Sequence, residues 1–178
     1  MLKIKVASIS EEGLEYLLSD DGSRLLEIIP DKGKIDFTLH RVDVRCFARK
    51  VGSTIPLQVK AETKVGLECG RCLEMVTYPV KMAFACSLTP TGAGIAAEDS
   101  ADVGEGLNLG SYQDDVIDLA PLVLEQVVLQ IPIKPLCRED CKGLCPRCGA
   151  NLNETTCDCE TEVVDQRFAI LNKFKALR

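Results

Sequence analysis

Two long stretches in the middle of the chain alternate apolar and polar residues one for one. Ile55, Leu57, Val59, Ala61, Val65 and Leu67 share a parity, broken by Thr63 alone, and Cys69 continues it. Val76, Tyr78, Val80, Met82, Phe84, Cys86 and Leu88 then hold the even positions. Successive side chains of a strand point to opposite faces, so a period of two predicts long antiparallel strands with one buried face. The segment between them, Cys69-Gly-Arg-Cys72, falls at the tip of a hairpin. Strands of this length twist strongly and curl toward a barrel. Upstream, Ile35, Phe37 and Leu39 keep one phase and Val42, Val44 and Cys46 the other. A phase switch within one run predicts a bulge near His40-Arg41.

The flanking segments read less regularly. Residues 2–9 predict an opening strand, followed by a polar, glycine-containing stretch to about residue 21. Residues 89–110 carry five glycines and little periodicity and predict a mobile excursion. Asp118 reads as the cap of a helix over residues 119–130, with Pro121 in the first turn, where proline is tolerated. Leu119, Leu122, Val123, Val127 and Leu129 make that helix apolar on more than one side, so it packs over the sheet. Pro132 and Pro135 end it, and Asp165 caps a last helix through Leu177. The expected class is α+β: a curved antiparallel sheet or partial barrel packed by a helix, with a C-terminal cysteine-rich zinc-binding module and terminal helix. The expected division is a β-body over 1–132 and a cysteine module with its helix over 133–178.

Cysteine spacing changes the picture from fold to chemistry. Cys69 and Cys72 form one C-x-x-C; Cys137, Cys141, Cys145, Cys148, Cys157 and Cys159 crowd the last third. Eight thiolates supply two tetrahedral all-sulfur zinc sites, and four sulfurs fill the shell, so such sites are structural. Cys145, Cys148, Cys157 and Cys159 are expected to close one site. Cys69 and Cys72 with Cys137 and Cys141 are expected to form the other, unless the last two join a tail-only cluster. Disulfides are disfavoured because the opening Met-Leu-Lys-Ile-Lys-Val is no export signal. A thioredoxin-like role is disfavoured because that motif opens a helix after a strand, whereas Cys69 and Cys72 lie between strands. Cys46 and Cys86 fall on apolar strand phases and read as buried small hydrophobes.

Composition and charge narrow the function. At 178 residues with 46% hydrophobic content the chain buries one good core, and no apolar run reaches the roughly 20 residues of a membrane helix. The expectation is a cytoplasmic protein without membrane or small-molecule partners. A net charge of −6 argues against whole-surface nucleic-acid binding, but the charge is polarised. Residues 40–82 hold eight Lys and Arg against four acids, whereas residues 95–130 hold eight acids and no Lys or Arg. His40 is the single histidine, and no nucleotide-binding glycine pattern, phosphate loop or nucleophile elbow occurs. Nothing converges on catalysis, so the chain is expected not to be an enzyme. Arg71, Arg138, Lys142 and Arg147, beside the cysteines, either offset zinc–thiolate charge or present cations to phosphates. Eight Phe and Tyr with no Trp, mostly on core phases, disfavour single-strand reading by base stacking.

Three segments together carry a resemblance. They are Leu67-Glu-Cys-Gly-Arg-Cys-Leu-Glu74; Ile117-Asp-Leu-Ala-Pro-Leu-Val-Leu-Glu125 leading to Ile131-Pro132; and Cys141-Lys-Gly-Leu-Cys-Pro-Arg-Cys-Gly-Ala-Asn-Leu-Asn153 with Cys157-Asp-Cys159. In this order they resemble the YceD family, the large ribosomal RNA subunit accumulation proteins. Asp165-Gln-Arg-Phe-Ala-Ile-Leu171 resembles the family's closing signature, with Gln166 where a proline is common. The resemblance implies a noncatalytic factor needed for 23S rRNA accumulation, acting on 23S rRNA or a pre-large-subunit particle. Some relatives lack the cysteine-rich tail, which implies that the tail reinforces the fold. Arg41, Arg45, Arg49, Lys50, Lys60, Lys64 and Arg71 precede or border the hairpin tip and are the expected RNA contacts. The acidic stretch suits a basic ribosomal protein as a further partner. Readings from other classes are a zinc-stabilised adaptor in translation or RNA processing and, more distantly, a C-x-x-C thiol oxidoreductase.

Overall fold

The computed structural model describes residues 1–29, 36–92 and 108–159. At its centre β5 (Ile55–Glu68) and β6 (Met75–Pro90) form the long hairpin. They pair antiparallel without a break from Ile55 opposite Leu88 to Glu68 opposite Met75. β4 (Val42–Ala48) pairs with the other edge of β5, and β2 (Leu14–Asp20) pairs with β4. With β7 (Asn108–Tyr112) beside β6, the order is β2-β4-β5-β6-β7, and β3 (Phe37–Leu39) also pairs with β5. The sheet is open, with β2 and β7 at its edges. A separate two-stranded sheet joins β1 (Lys3–Lys5) to β8 (Val116–Asp118).

The inward parity of the hairpin makes the core. Ile55, Leu57, Val59 and Ala61 of β5 are at most 1% exposed, and Val80, Met82, Cys86 and Leu88 of β6 are buried with them. Phe84, expected in the same layer, is half-buried. Cys46 and Cys86 lie in this core, and burial pushes their thiols up to about 12 and about 11. They act as small apolar side chains. Helix α2 (Ala120–Gln130) packs against β6, burying Ala120, Val123, Leu124 and Val127. Asp118 Oδ1 accepts from the Ala120 amide at 3.0 Å, so the aspartate caps the helix from one residue before its formal cap.

The phase switch at His40-Arg41 is a bulge. Leu39 pairs with Val65 and Asp43 with Glu62, so four steps on one strand face three on the other. Thr63, the break in the apolar parity of β5, is itself buried there. Its hydroxyl reaches the carbonyls of His40 at 3.3 Å and Arg41 at 3.1 Å. His40 is exposed at this strand edge.

Several expectations are corrected. The opening strand is only β1, followed by a 3₁₀ turn at Val6–Ser8, although Leu2, Ile4, Val6 and Ile9 are all buried. The polar stretch after it contains β2, and a short helix, α1 (Gly22–Leu26), capped by the Asp21 side chain, follows it. The sheet is not wholly antiparallel: β7 runs parallel to β6. A parallel neighbour needs a crossover of about a dozen residues or more, and residues 91–107 supply that length. The start and end of the expected excursion at 89–110 thus belong to strands. Residues 93–107 and the helix expected over 165–177 lie outside the described residues. Among the described residues no helix is long and apolar enough to cross a membrane.

Candidate metal centres and the basic sheet face

The hairpin tip is built around its first cysteine. The Cys69 amide donates to Glu74 O at 2.8 Å and the Leu73 amide to Cys69 O at 3.0 Å, folding Cys69 and Cys72 onto the same side. Leu73 takes φ +63 to close this turn. Cys145-Pro-Arg-Cys148 repeats the design: the Gly149 amide donates to Cys145 O at 2.9 Å, with Gly149 at φ +73. The residue after the second cysteine is left-handed in both knuckles, but only the tail uses glycine for it.

The tail is brought to the hairpin tip by polar contacts. Tyr78 Oη accepts from the Leu136 amide at 2.7 Å, and the Gly70 amide donates to Pro135 O at 2.8 Å. Arg71 Nη1 donates to Cys141 O at 2.6 Å, while Arg71 O accepts from the Leu144 amide. Gly143, at φ +80, lies so close that a Cβ would stand 3.0 Å from Arg71 O. These bonds gather Cys69, Cys72, Cys137 and Cys141 into one set and leave Cys145, Cys148, Cys157 and Cys159 in a second; within each, all four sulfurs lie within 4.8 Å of one another. The first set takes two thiols from either side of residue 132, so it bridges the division expected from sequence.

The donor sets fit a tetrahedral thiophilic cation. Zinc–sulfur bonds of about 2.3 Å place tetrahedral sulfurs about 3.8 Å apart. Cys69 and Cys141 sulfurs are 3.8 Å apart and Cys72 and Cys137 sulfurs 3.5 Å, far beyond a disulfide bond of about 2.05 Å. Protein donors already point at this sulfur cage: the Cys137 amide to Cys69 Sγ at 3.3 Å and Asn153 Nδ2 to Cys141 Sγ at 3.3 Å. Such donors stabilise thiolate charge and fix ligand orientation. The Cys72 amide, with that of Arg71, holds the Cys69 thiol down at about 6, and the Cys148 and Arg147 amides do the same for Cys145. Their neighbours respond oppositely. Cys72 receives an amide bond from Glu74 but is pushed up to about 12 by burial and adjoining thiols; Cys159, beside Cys148, is also pushed up to about 12. Four sulfurs in so small a volume ionise together only around a cation.

Asn153 and Tyr78 have roles at the first set that neither strand parity nor cysteine spacing discloses. Asn153 Oδ1 accepts from the Lys142 amide and from Arg138, so one side chain braces both the backbone and a thiol of the first set. Its signal was the second asparagine of Asn151-Leu-Asn153, and Asn151 in turn donates to Glu74 at 2.8 Å. Tyr78 sits on the core parity, which hid its role as an anchor for the tail.

The seven basic residues expected at RNA are all exposed, but the structure treats them differently. Arg71 is tied to the tail. Arg41 pairs with Asp43 at 2.9 Å and Arg45 with Glu15 at 3.9 Å, while Glu62 is taken by Lys81 at 3.3 Å. Lys60 and Lys64 alternate outward on β5 with no ion pair among the described residues. Arg49 and Lys50 follow the end of β4, where the Arg49 amide still bonds Pro56 O.

Comparison with known proteins places this architecture. Residues 57–175, from the β5 strand through both cysteine sets, match the family described as large ribosomal RNA subunit accumulation protein YceD. The chain belongs to the YceD family. An uncharacterised protein of Mycobacterium tuberculosis is 35% identical over 149 residues, which are 83% of this chain and 60% of that protein. The Arabidopsis thaliana chloroplastic protein named large ribosomal RNA subunit accumulation protein YCED homolog 1 is 39% identical over 59 residues, 33% of this chain and 18% of the relative. YlbN of Bacillus subtilis is 30% identical over 108 residues, 60% of this chain and 58% of the relative. This YceD chain thus matches at most 60% of the length of these relatives. No solved structure matches it.

Proposed function

We propose that the protein is a noncatalytic, cytoplasmic factor that supports 23S rRNA accumulation and large-subunit biogenesis by binding rRNA or a pre-ribosomal particle. The observation that carries this reading is membership of the YceD family over a region that includes the hairpin and both thiol sets. Two zinc ions fill the two sets, the first bracing the tail against the hairpin and the second closing the tail on itself, and the eight thiols have that structural role rather than a redox one. The sheet face opposite the core makes the RNA contact. Lys60 and Lys64 are its uncommitted cations, with Arg41, Arg45, Arg49 and Lys50 around them. Lys and Arg on phosphates position a protein without reading sequence. Arg71 serves the tail first, so replacing it would disturb the fold and the contact together.

Lys60→Glu combined with Lys64→Glu separates the two. Both side chains point to solvent, so the variant keeps its urea midpoint and its metal. Crosslinking in cells followed by RNA sequencing is expected to recover 23S rRNA with the parent chain and several-fold less with the variant. Equal recovery would move the contact off this face. No rRNA recovered with either chain would favour an adaptor docking a protein partner.

A further inference from the structure

The sheet face opposite the core is a depression of about 780 Å³, lined by Glu15, Leu17, Arg45, Phe47, Gln58 and Lys60 among others. A half-buried sheet turns polar residues outward by default, and Phe47 departs from that default. It lies on the outward parity of β4 and is 38% exposed. Gln58 stands directly opposite it on β5. Arg45 holds the same parity two positions earlier on the strand, and Arg49 follows two positions later, just past its end. The ring is also held in place. Its tip rests on Gly13, where a methyl group would come within 2.4 Å of Cζ, and Gly13 has φ +88. Glycine at that position is what lets the ring lie where it does.

The depression carries three cations, Arg41, Arg45 and Lys60, and three carboxylates, Glu15, Asp43 and Glu62; of these cations Lys60 alone has no ion pair among the described residues. Arg45 and Lys60 are directly opposed across β4 and β5, an arrangement that destabilises a sheet when left uncompensated. Glu15 approaches Arg45 only to 3.9 Å, and no carboxylate pairs with Lys60 among the described residues. A phosphate between the two cations would relieve the repulsion.

We propose that this depression binds an unpaired stretch of RNA, with one base stacked on Phe47, its edge within reach of the Gln58 amide, and a flanking phosphate on Arg45 and Lys60. The inference rests on the rRNA reading above and narrows it, because a buried base pair cannot offer its face to a ring whereas a loop or bulge can. It also runs against the expectation drawn from the scarcity of aromatic residues, which disfavoured single-strand reading by base stacking. An acidic protein segment would satisfy the cations but leave the ring and the amide unused.

The test uses the full chain, a short labelled oligouridylate, an RNA duplex of equal length and a 23S rRNA fragment, with binding read by anisotropy over a salt series. The single strand is expected to bind at least tenfold tighter than the duplex. Phe47→Ala is expected to weaken single-strand binding about tenfold, as loss of one stacked base does, with an unchanged salt slope. Lys60→Gln should lower that slope by about one. Phe47→Leu retains apolar bulk against Gly13 and should lose affinity as alanine does, while Phe47→Tyr should retain it, which separates stacking from folding. Equal binding of single strand and duplex, or wild-type binding by both Phe47→Ala and Phe47→Leu, would overturn the proposal. So would displacement by polyglutamate that is the same for wild type and Phe47→Ala. If the rRNA fragment still binds in those cases, the rRNA reading survives without the stacking site. If neither the fragment nor the oligonucleotide binds, both readings fall.

Discussion

Leu73 turns the chain through φ +63 with a β-carbon in the way, at a position where Gly149 does the same job unhindered in the other knuckle. A left-handed conformation costs a residue with a side chain roughly 1–2 kcal/mol. Leu73 is 60% exposed, so little packing offsets that cost. Leu73→Gly is therefore expected to raise stability by about 1 kcal/mol, less the extra freedom glycine gives the unfolded chain. The urea midpoint of the loaded protein measures it, and a fall would mean that the leucine makes a contact worth more than its strain. The thiols were legible one by one because their spacing is chemical. Tyr78 and Asn153 were not, because a hydrogen bond to a chain segment 58 residues away, or to a sulfur, leaves no local pattern.

Among the elements, β5 and β6 were legible because one face is buried and the other wet, which imprints a period of two on the sequence. β2 was not, because it is an edge strand. Leu14 and Leu17 are exposed on it while Tyr16 and Leu18 are only half-buried, so the apolar residues fall on both faces and the parity blurs. The parallel placement of β7 is beyond any local signal, since direction is decided by the crossover. The bulge between β3 and β4 sets two effects against each other at Thr63. Valine there would complete the apolar parity of β5 and add buried apolar surface. It would also leave the His40 and Arg41 carbonyls without their shared donor. Loss of a partner in a buried site costs about 1–3 kcal/mol, more than the gain from one methyl of about 0.8 kcal/mol. Thr63→Val is thus expected to destabilise by about 1 kcal/mol in chemical denaturation, and a stabilised variant would show that water already serves those carbonyls.

Across the whole molecule, the grouping of the eight thiols into two sets was readable because knuckle chemistry needs four sulfurs each. The polar clasp that aligns them was not readable, because it depends on where two distant segments meet. Zinc content near two ions per chain is expected, and chelation should expose Cys137 and Cys141 to alkylation while the β5–β6 hairpin keeps its strand signal in circular dichroism. Slow alkylation of both after complete metal removal would mean that hydrogen bonds alone hold the tail. With metal in place, the clasp has a topological effect. Cys72 and Cys137 stand 65 residues apart in sequence, and coordination joins them into a ring threaded through β6, β7, β8 and α2. Closing a loop of that length removes unfolded-state freedom worth about 4 kcal/mol if it acts as a covalent crosslink does. A single backbone cut anywhere within the ring would leave one particle rather than two, since the severed ends remain joined through sulfur and metal.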